Sequence, residues 1–471
     1  MFCIDYFTPE LLAKWDPNPF CRTKCGTEDF ILRFVPPFGG GMEIIMVIHV
    51  VRPGETVFSI AARYGTSPAR LIGDNGLRTS QSLVVGQALL VLFPAEVYTV
   101  QPGDTIESVA RAVGIAPIEL IQNNPYLADT RSLTVGETLV VRFTDPKRRA
   151  VYITGYAYPS INRNVLLRAL PFLTYLTIFS YGFTPEGELI GIDDSPLIDL
   201  AYQFGVAPVM LLSSITETGN FSSEKASRLF NDVALQNKVL DNILLTMQEK
   251  GYVGLDIDFE FVAPEDREAF IGFVQNAVAR LSPYGYFVNT DLAPKTSATQ
   301  AGLLYEAHDY PALGAASDTL LLMTYEWGYT YGPPMAVAPI NRVREVVEYA
   351  VSEIPSEKLS LGIPNYGYDW PLPYVRGSTA ARSIGNEEAI AIAAEYRAEI
   401  LLDALARSPY FYYATGGVSH VVWFEDVRSI LAKFDLMDEF SLRGAGYWNI
   451  MRPFAQNFAL LGALYDIVKV V

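Results

Sequence analysis

The stretch Gly254-Leu-Asp-Ile-Asp-Phe-Glu260 alternates apolar and acidic residues at every step. Successive side chains of a β-strand point to opposite faces, so a strand here carries three acids on one face: Asp256, Asp258 and Glu260. Neighbouring carboxyls on such a face lie about 6–7 Å apart, and like charges at that spacing raise the pKa of at least one of them. A carboxyl with a raised pKa can act as a general acid near neutral pH.

Two other interpretations of this acidic face are open. Three carboxylates can hold Ca²⁺ or Mg²⁺, although the interior of a strand offers poor geometry for six to eight oxygen ligands. A purely structural trio would leave buried charges unpaired, which is costly in free energy. We therefore expect a catalytic role, with no metal and no cofactor.

Strand-like and helix-like segments alternate on both sides of this stretch, from residue 151 to residue 471. This alternation is typical of a parallel sheet and predicts an α/β fold, a (β/α)8 TIM barrel with an insertion before the last strand, from about Asp369 to Arg443. Glu260 falls at the C-terminal end of its strand, the rim where barrel enzymes carry out chemistry. The apolar run Phe458–Val471 predicts a final amphipathic helix. The candidate strands are Tyr152–Tyr156, Leu173–Phe179, Ala207–Leu212, Gly251–Glu260, Gly285–Leu292, Thr319–Tyr325, Leu359–Pro364 and Gly444–Asn449.

An internal repeat precedes the barrel. Residues 49–56 (HVVRPGET) are echoed by residues 98–105 (YTVQPGDT), and the similarity continues to Val85-Gly86 and Val135-Gly136. Each unit reads as strand, helix, helix and strand, with a Pro-Gly turn after the first strand. We expect small α+β modules at 46–94 and 96–143, a linker at 144–150 and the barrel at 151–471.

Both repeats resemble LysM modules, which bind the N-acetylglucosamine chains of chitin and peptidoglycan. In that family the sugar lies in a shallow groove between the turn after the first strand and the loop before the second. The alternative is that the Gly and Thr residues after the first strand of each module serve only as turn residues and helix caps. The resemblance implies glycan contacts in both modules, by Gly54, Thr56 and Asn75 in the first and by Gly103, Asp104, Thr105 and Asn124 in the second.

The acidic strand resembles the D-x-D-x-E signature of glycoside hydrolase family 18. The segment 323–326 (MTYE) resembles the M-x-Y-D segment of that family, with Glu326 in place of Asp, and Trp448 matches its tryptophan on the eighth strand. Val253 stands where the fuller signature has a further Asp, which weakens the expected outer support of the acids.

The resemblance implies retaining, substrate-assisted hydrolysis, in which the N-acetyl oxygen of the sugar attacks the anomeric carbon. Glu260 is then the general acid and base, Asp258 orients the acetamido group with Asp256 behind it, and Tyr325 donates to the acetamido carbonyl. The expected substrate contacts are Trp448, Glu326, Tyr156, Trp327, Tyr366 and Trp370.

The two repeats, together with the phrases 291–296 (DLAPKT), 325–328 (YEWG) and 423–426 (WFED), resemble the spore-germination, cortex-lytic N-acetylglucosaminidases of endospore-forming bacteria. The resemblance implies a glycosidase of spore-cortex peptidoglycan. Such a protein is made in the mother cell without a signal peptide, is cytoplasmic until released, and lies at the spore coat and cortex surface. Two alternatives are a chitinase with the same acids and an inactive glycan-binding coat protein.

Composition excludes several other classes of protein. The 35 Lys and Arg stand against 52 Asp and Glu, and the net charge of −17 disfavours nucleic acid and anionic membranes as partners. All three cysteines lie within the first 25 residues, so no disulfide framework is expected in the main body. We expect a monomer without membrane insertion. Residues 1–45, which end in three glycines and Met42, are predicted to be a non-native or disordered extension.

Overall fold

Two small modules precede an eight-stranded barrel in this protein, which we describe from a computed structural model. The structure describes residues 20–25, 29–34, 43–78, 82–130, 132–143, 147–215 and 221–471. Three segments of the predicted 1–45 extension are described. They are the strands β1 (Phe20–Cys25) and β2 (Asp29–Phe34) and residues 43–45, which begin the next strand. The rest of the extension lies outside the described residues.

Each module has the element order that the repeat predicts. The first contains β3 (Glu43–Val50), α1 (Val57–Tyr64), α2 (Pro68–Asp74) and β4 (Ala88–Leu92), and its sheet runs in the order β1-β2-β3-β4. The second contains β5 (Pro94–Thr99), α3 (Ile106–Val113), α4 (Pro117–Asn123) and β6 (Thr138–Phe143). The prediction of a strand, two helices and a strand is confirmed in both.

The first helix of each module begins at a reciprocal cap. Thr56 accepts a hydrogen bond from the Ser59 backbone at 3.1 Å, and the Thr56 backbone donates to the Ser59 hydroxyl at 2.9 Å. Thr105 and Ser108 repeat this pattern at the same distances. These side chains satisfy backbone N–H groups that the first helical turn leaves without partners.

The rest of the chain supplies fifteen further strands and ten further α-helices within the described residues. The strands are β7 (Arg149–Ala157), β8 (Tyr175–Phe183), β9 (Leu189–Ile190), β10 (Ala207–Ser213), β11 (Gly254–Asp258), β12 (Phe287–Leu292), β13 (Thr319–Leu322), β14 (Leu359–Pro364), β15 (Gly367–Leu372), β16 (Arg382–Ile384), β17 (Leu401–Leu402), β18 (Pro409–Thr415), β19 (Val418–Trp423), β20 (Gly444–Trp448) and β21 (Tyr465–Ile467). The helices are α5 (Arg163–Ala169), α6 (Ser195–Gln203), α7 (Ser223–Asn231), α8 (Val233–Lys250), α9 (Arg267–Leu281), α10 (Tyr310–Ala316), α11 (Ile340–Glu353), α12 (Asn386–Tyr396), α13 (Val427–Glu439) and α14 (Ala455–Leu464).

Eight of these strands close into a parallel barrel. Their order is β7, β8, β10, β11, β12, β13, β14 and β20, and β20 pairs with β7 to complete the ring. The predicted (β/α)8 barrel is therefore confirmed. The predicted insertion lies between β14 and β20, where β15 to β19 form a separate five-stranded antiparallel sheet accompanied by α12.

The first module is docked against this insertion. The Ile400 backbone donates to the Val85 carbonyl at 2.9 Å, and Val84 is buried in one apolar cluster with Ile384 and Phe411. The corresponding loop of the second module is open, since Val135 is 60% exposed. Two repeats of similar sequence therefore have different surroundings.

Helix α14 connects the barrel to both modules. Gln456 donates to the Asn75 side chain at 2.9 Å and to the Ala88 carbonyl at 2.7 Å, and α14 also packs against α4 of the second module. The predicted amphipathic helix over 458–471 is wrong, because α14 ends at Leu464 and is buried on all sides from Gln456 onward. The chain continues as β21, which pairs in parallel with β7. Across the described part of the chain, no helix combines the length and apolar character needed to cross a membrane.

The docking of the first module predicts unequal effects of one substitution made in both repeats. Gly86 and Gly136 both have positive φ, at 83° and 85°, so alanine at either site costs roughly 1–2 kcal/mol in backbone strain. A Cβ on Gly86 would also lie 1.9 Å from the Ile400 carbonyl oxygen, whereas at Gly136 no described atom lies within 4 Å. We expect Gly86→Ala to lower the free energy of unfolding by about 1–3 kcal/mol more than Gly136→Ala in urea denaturation. Equal losses would contradict the docked arrangement.

Candidate active site

The acidic face of β11 points into the barrel. Asp256 and Asp258 are 1% and 4% exposed, and Glu260 lies two residues beyond the end of the strand, half-buried at the C-terminal mouth. The observed strand, Gly254–Asp258, is therefore shorter than the predicted strand, Gly251–Glu260. The acids nevertheless follow one another from the barrel interior to the rim.

Asp256 is held by two donors from neighbouring strands. The Tyr156 hydroxyl on β7 lies 2.8 Å from its Oδ2, and Asn289 Nδ2 on β12 lies 2.7 Å from its Oδ1. The same two donor atoms lie 3.1 and 2.9 Å from Asp291 Oδ1. Sequence reasoning missed Asn289 and Asp291 as site residues, although their spacing of two on β12 was a signal that both face the barrel interior.

Asp258 has a strongly perturbed environment. Its Oδ1 is buried and has no hydrogen-bond partner within the described structure. Burial raises the pKa of Asp258 well above its usual range, and the charges of Glu260 and Asp256 raise it further. A raised pKa favours the protonated form of a carboxyl, which can donate a hydrogen bond to a group that enters the site.

Glu326 lies close enough to Glu260 for its charge to affect the pKa of Glu260. Burial raises the pKa of Glu260, and the negative charge of Glu326 adds to the effect. The Glu326 carboxylate accepts hydrogen bonds from the hydroxyls of Tyr366 and Tyr368, the latter at 3.1 and 3.2 Å. Tyr366 is 6% exposed, so it acts on the site through Glu326.

The Tyr325 side chain lies among these acids. Burial raises its pKa well above the usual value for a tyrosine, and the carboxyls of Asp291, Asp258 and Glu260 are the next largest causes. Its hydroxyl therefore stays protonated at any physiological pH. It is available as a donor beside the acidic row.

Aromatic rings form an apolar floor beside the acids. The half-exposed ring of Trp448 makes edge contacts with Tyr156, Tyr158 and Phe179, at centroid distances of 5.9, 6.1 and 5.1 Å. Asp258 and Glu260 contribute to the raised pKa of Tyr158, which places Tyr158 at the border of the acidic row. Sequence reasoning missed Tyr158 and Phe179. The spacing of Tyr156 and Tyr158 at the end of β7 was the available signal.

Two of the predicted aromatic contacts need correction. Tyr156 is 2% exposed and directs its hydroxyl at the acids, so it supports them from below and does not form a sugar platform. Trp370 is fully buried and donates to the Gly332 carbonyl at 2.9 Å, which makes it a core residue of the insertion. Trp327 is half-buried against the main core.

Two of the residues predicted as glycan contacts in the modules also need correction. Asn75 is 5% exposed and bonds the backbone of Leu71 and Leu90, and Asn124 is 1% exposed and bonds Leu120 and Val140 in the same way. These side chains tie α2 to β4 and α4 to β6, so they are structural. The remaining candidates border exposed turns: Gly54, Thr56, Gly103, Asp104 and Thr105.

The site therefore combines three properties that suit cleavage of a polar chain with flat apolar faces. Glu260 is an acid with a raised pKa at the rim, Asp258 is a buried carboxyl with a raised pKa behind it, and Trp448 is a flat platform beside them. Carboxyls whose surroundings shift their pKa values are a usual basis of acid–base catalysis.

Comparisons with known proteins agree with this geometry. The family model described as glycosyl hydrolases family 18 matches residues 148–452, and the LysM domain model matches residues 49–91 and 98–142. The chain is 42% identical to the cortical fragment-lytic enzyme of Bacillus anthracis, over 90% of this chain and 99% of that one. It is 39% identical to the enzyme of the same name from Bacillus subtilis, with the same coverage.

Solved structures give the same result. The spore cortex-lytic enzyme SleL of Bacillus cereus matches with a TM-score of 0.77 and 40% identity, covering 90% of this chain and 99% of that one. A chitinase from Chromobacterium violaceum matches with a TM-score of 0.62 and 26% identity, covering 67% of this chain and 99% of that one. The match to SleL therefore covers more of this chain than the match to the chitinase.

The charge of Glu326 provides a test of the electrostatics at the mouth. Glu326→Gln removes a negative charge that raises the pKa of Glu260, so we expect that pKa to fall and Glu260 to lose its proton at a lower pH. An NMR titration of isotopically labelled carboxyl groups measures this directly. Glu268→Gln, at an exposed position on α9, is the control and should leave the Glu260 titration unchanged. An unchanged titration in Glu326→Gln would mean that burial alone sets this pKa.

Proposed function

This chain belongs to glycosyl hydrolases family 18, and we propose that it cleaves the N-acetylglucosamine linkages of spore-cortex peptidoglycan. One observation carries the substrate assignment: relatives called cortical fragment-lytic enzymes are matched over 99% of their own length. The match includes both LysM domains, so the likeness is to the whole domain arrangement. We place the protein at the spore coat and cortex surface, as a monomer with this glycan as its partner.

We propose retaining, substrate-assisted hydrolysis as the mechanism. Glu260 protonates the leaving oxygen and later activates water, which its raised pKa suits. The N-acetyl oxygen of the sugar attacks the anomeric carbon, so no protein nucleophile is needed. Asp258, protonated and with a free buried oxygen, hydrogen-bonds the acetamido group as it becomes positively charged.

The other site residues then have supporting roles. Tyr325 donates its hydroxyl to the acetamido carbonyl, and Asp256 carries the charge that keeps the proton on Asp258. The ring of Trp448 stacks on the distorted sugar, with Tyr158 beside it. Glu326 accepts hydrogen bonds from substrate hydroxyls at the mouth.

A chitinase is the second candidate, and the match to the Chromobacterium enzyme favours it. It would use the same acids on a glycan that lacks the lactyl group. Relative rates on cortex fragments and on chitin oligomers separate the two candidates. Faster cleavage of chitin oligomers would replace the cortex assignment.

The role of Glu260 can be tested by replacing it with glutamine. We expect Glu260→Gln to lower kcat on cortex fragments by about 10²–10⁴-fold, because the amide cannot supply the proton, while binding of the fragments persists. Mass spectrometry detects the cleaved product, and its anomeric form reports the stereochemistry of cleavage. We expect the wild type to release a product with the retained β-anomeric form. A wild type that binds the glycan without cleaving it would indicate an inactive glycan-binding coat protein.

We further propose that the second LysM module does most of the glycan binding. The loop around Val85 in the first module is covered by the insertion, while the loop around Val135 in the second is exposed. Since a sugar groove needs both of its walls accessible, the first module is better suited to hold the insertion in place.

Matched substitutions in the two modules test this division. Pro53 and Pro102 are equivalent, exposed residues of the two Pro-Gly turns. We expect Pro102→Glu to weaken sedimentation of the full-length protein with cortex glycan by at least about tenfold, because the new side chain crowds the open groove. Pro53→Glu should have little effect. Equal losses would mean that both modules bind.

A further inference from the structure

A fourth carboxyl group lies within the acidic row, beyond the three acids of the β11 motif. Asp291 on β12 is 3% exposed and is positioned beside Asp256. Strand pairing explains this, because Asp256 is registered with Asn289 and the Asp291 side chain follows on the same face of β12. The mechanism described above gives Asp291 no role.

The hydrogen bonds around these two carboxyls require one extra hydrogen. The Tyr156 hydroxyl and the Asn289 amide each contact both Asp256 and Asp291, which makes four short contacts. A tyrosine hydroxyl supplies one hydrogen and an asparagine amide supplies two. Three hydrogens make only three two-centre hydrogen bonds, and a proton on one of the carboxyls gives the fourth contact a hydrogen of its own.

The distances indicate which carboxyl carries that proton. The contacts to Asp256 are 2.7 and 2.8 Å, whereas those to Asp291 are 2.9 and 3.1 Å. Hydrogen bonds to an ionised carboxylate are shorter than hydrogen bonds between neutral groups. Asp256 therefore fits the anion and Asp291 the protonated acid, with the Tyr156 oxygen able to accept from Asp291.

The surroundings of Asp291 favour the same assignment. The titratable groups that face it are acidic or phenolic within the described structure: Tyr156 on β7, Asp256 and Asp258 on β11, and Tyr325 after β13. Burial raises the pKa of Asp291 well above its usual range, and the charges of Asp256 and Asp258 add to this.

We propose that Asp291 is a positioning residue that stays protonated at neutral pH and, as a neutral donor, fixes Asp256 as the anion of the acidic row. The negative charge of Asp256 in turn keeps the proton on Asp258, which meets the substrate. The proton of Asp291 remains in place throughout the reaction. This role rests on the proposed function, but the protonation state itself does not.

Infrared spectroscopy of the substrate-free protein tests the protonation state. Asp291→Asn replaces a neutral carboxyl by a neutral amide, so the difference spectrum at neutral pH should show the loss of one band in the carbonyl-stretch region of protonated carboxylic acids. Asp258→Asn is the control and should remove a different band. A folded Asp291→Asn protein that lost only carboxylate bands would show an ionised Asp291 and overturn the proposal.

Activity tests the positioning role separately. We expect Asp291→Asn to retain kcat within about threefold at neutral pH, because the amide still donates to the Tyr156 oxygen and leaves the Tyr156 hydrogen for Asp256. We expect Asp291→Ala to lose at least about tenfold. Thermal unfolding of both variants checks that they fold. If Asn lost as much activity as Ala, a neutral donor at this position would not be sufficient and the proposal would be wrong. If even the wild type cleaved no glycan, the infrared result would still stand and only the proposed function would fail.

Discussion

The crowding of carboxyl groups inside one barrel is the constraint on which the rest of the active site depends. Asp256, Asp258 and Asp291 are all nearly inaccessible to water, and burial raises the pKa of each. Asp256 raises the pKa of Asp258 further, and both of them raise that of Asp291. Buried like charges are unfavourable, so the group can persist only if protons are distributed among its members. The chemistry that we propose at Glu260 depends on that distribution, with a neutral Asp258 and a charged Asp256 behind it.

Burial of apolar side chains in the barrel offsets the free-energy cost of burying these carboxyls. One continuous hydrophobic cluster runs from the first strands of the barrel to α14 and includes Leu255 and Ile257, the outward-facing neighbours of the acids. Alternate residues of β11 therefore have different roles: the apolar residues anchor the strand in the hydrophobic cluster, and the acidic residues line the barrel interior. An error of one residue in register would exchange these two sets, so the strand position is strongly specified.

Local patterns predicted most of the fold and part of the site. The alternation in β11 and the threonine caps of the modules depend only on nearby residues, and both are visible in the sequence. Asp291 escaped prediction because its contact with Asp256 depends on the pairing of β11 with β12. Asn75 and Trp370 were misassigned because residue type alone does not reveal that an amide bonds backbone or that a ring is buried. Burial and cross-strand register are properties of the assembled barrel.

The position of α14 in the chain has a consequence for the order of folding during synthesis. The two modules are synthesised before the barrel, whereas α14, which bonds the first module through Gln456 and packs against α4 of the second, follows all eight barrel strands. Domains generally fold as units in the order of their synthesis. The modules can therefore fold early as separate units, but their final placement on the barrel waits until α14 has been synthesised. A truncated chain that lacks α14 would keep the contact of the first module with the insertion but would lose the helix that joins both modules to the barrel.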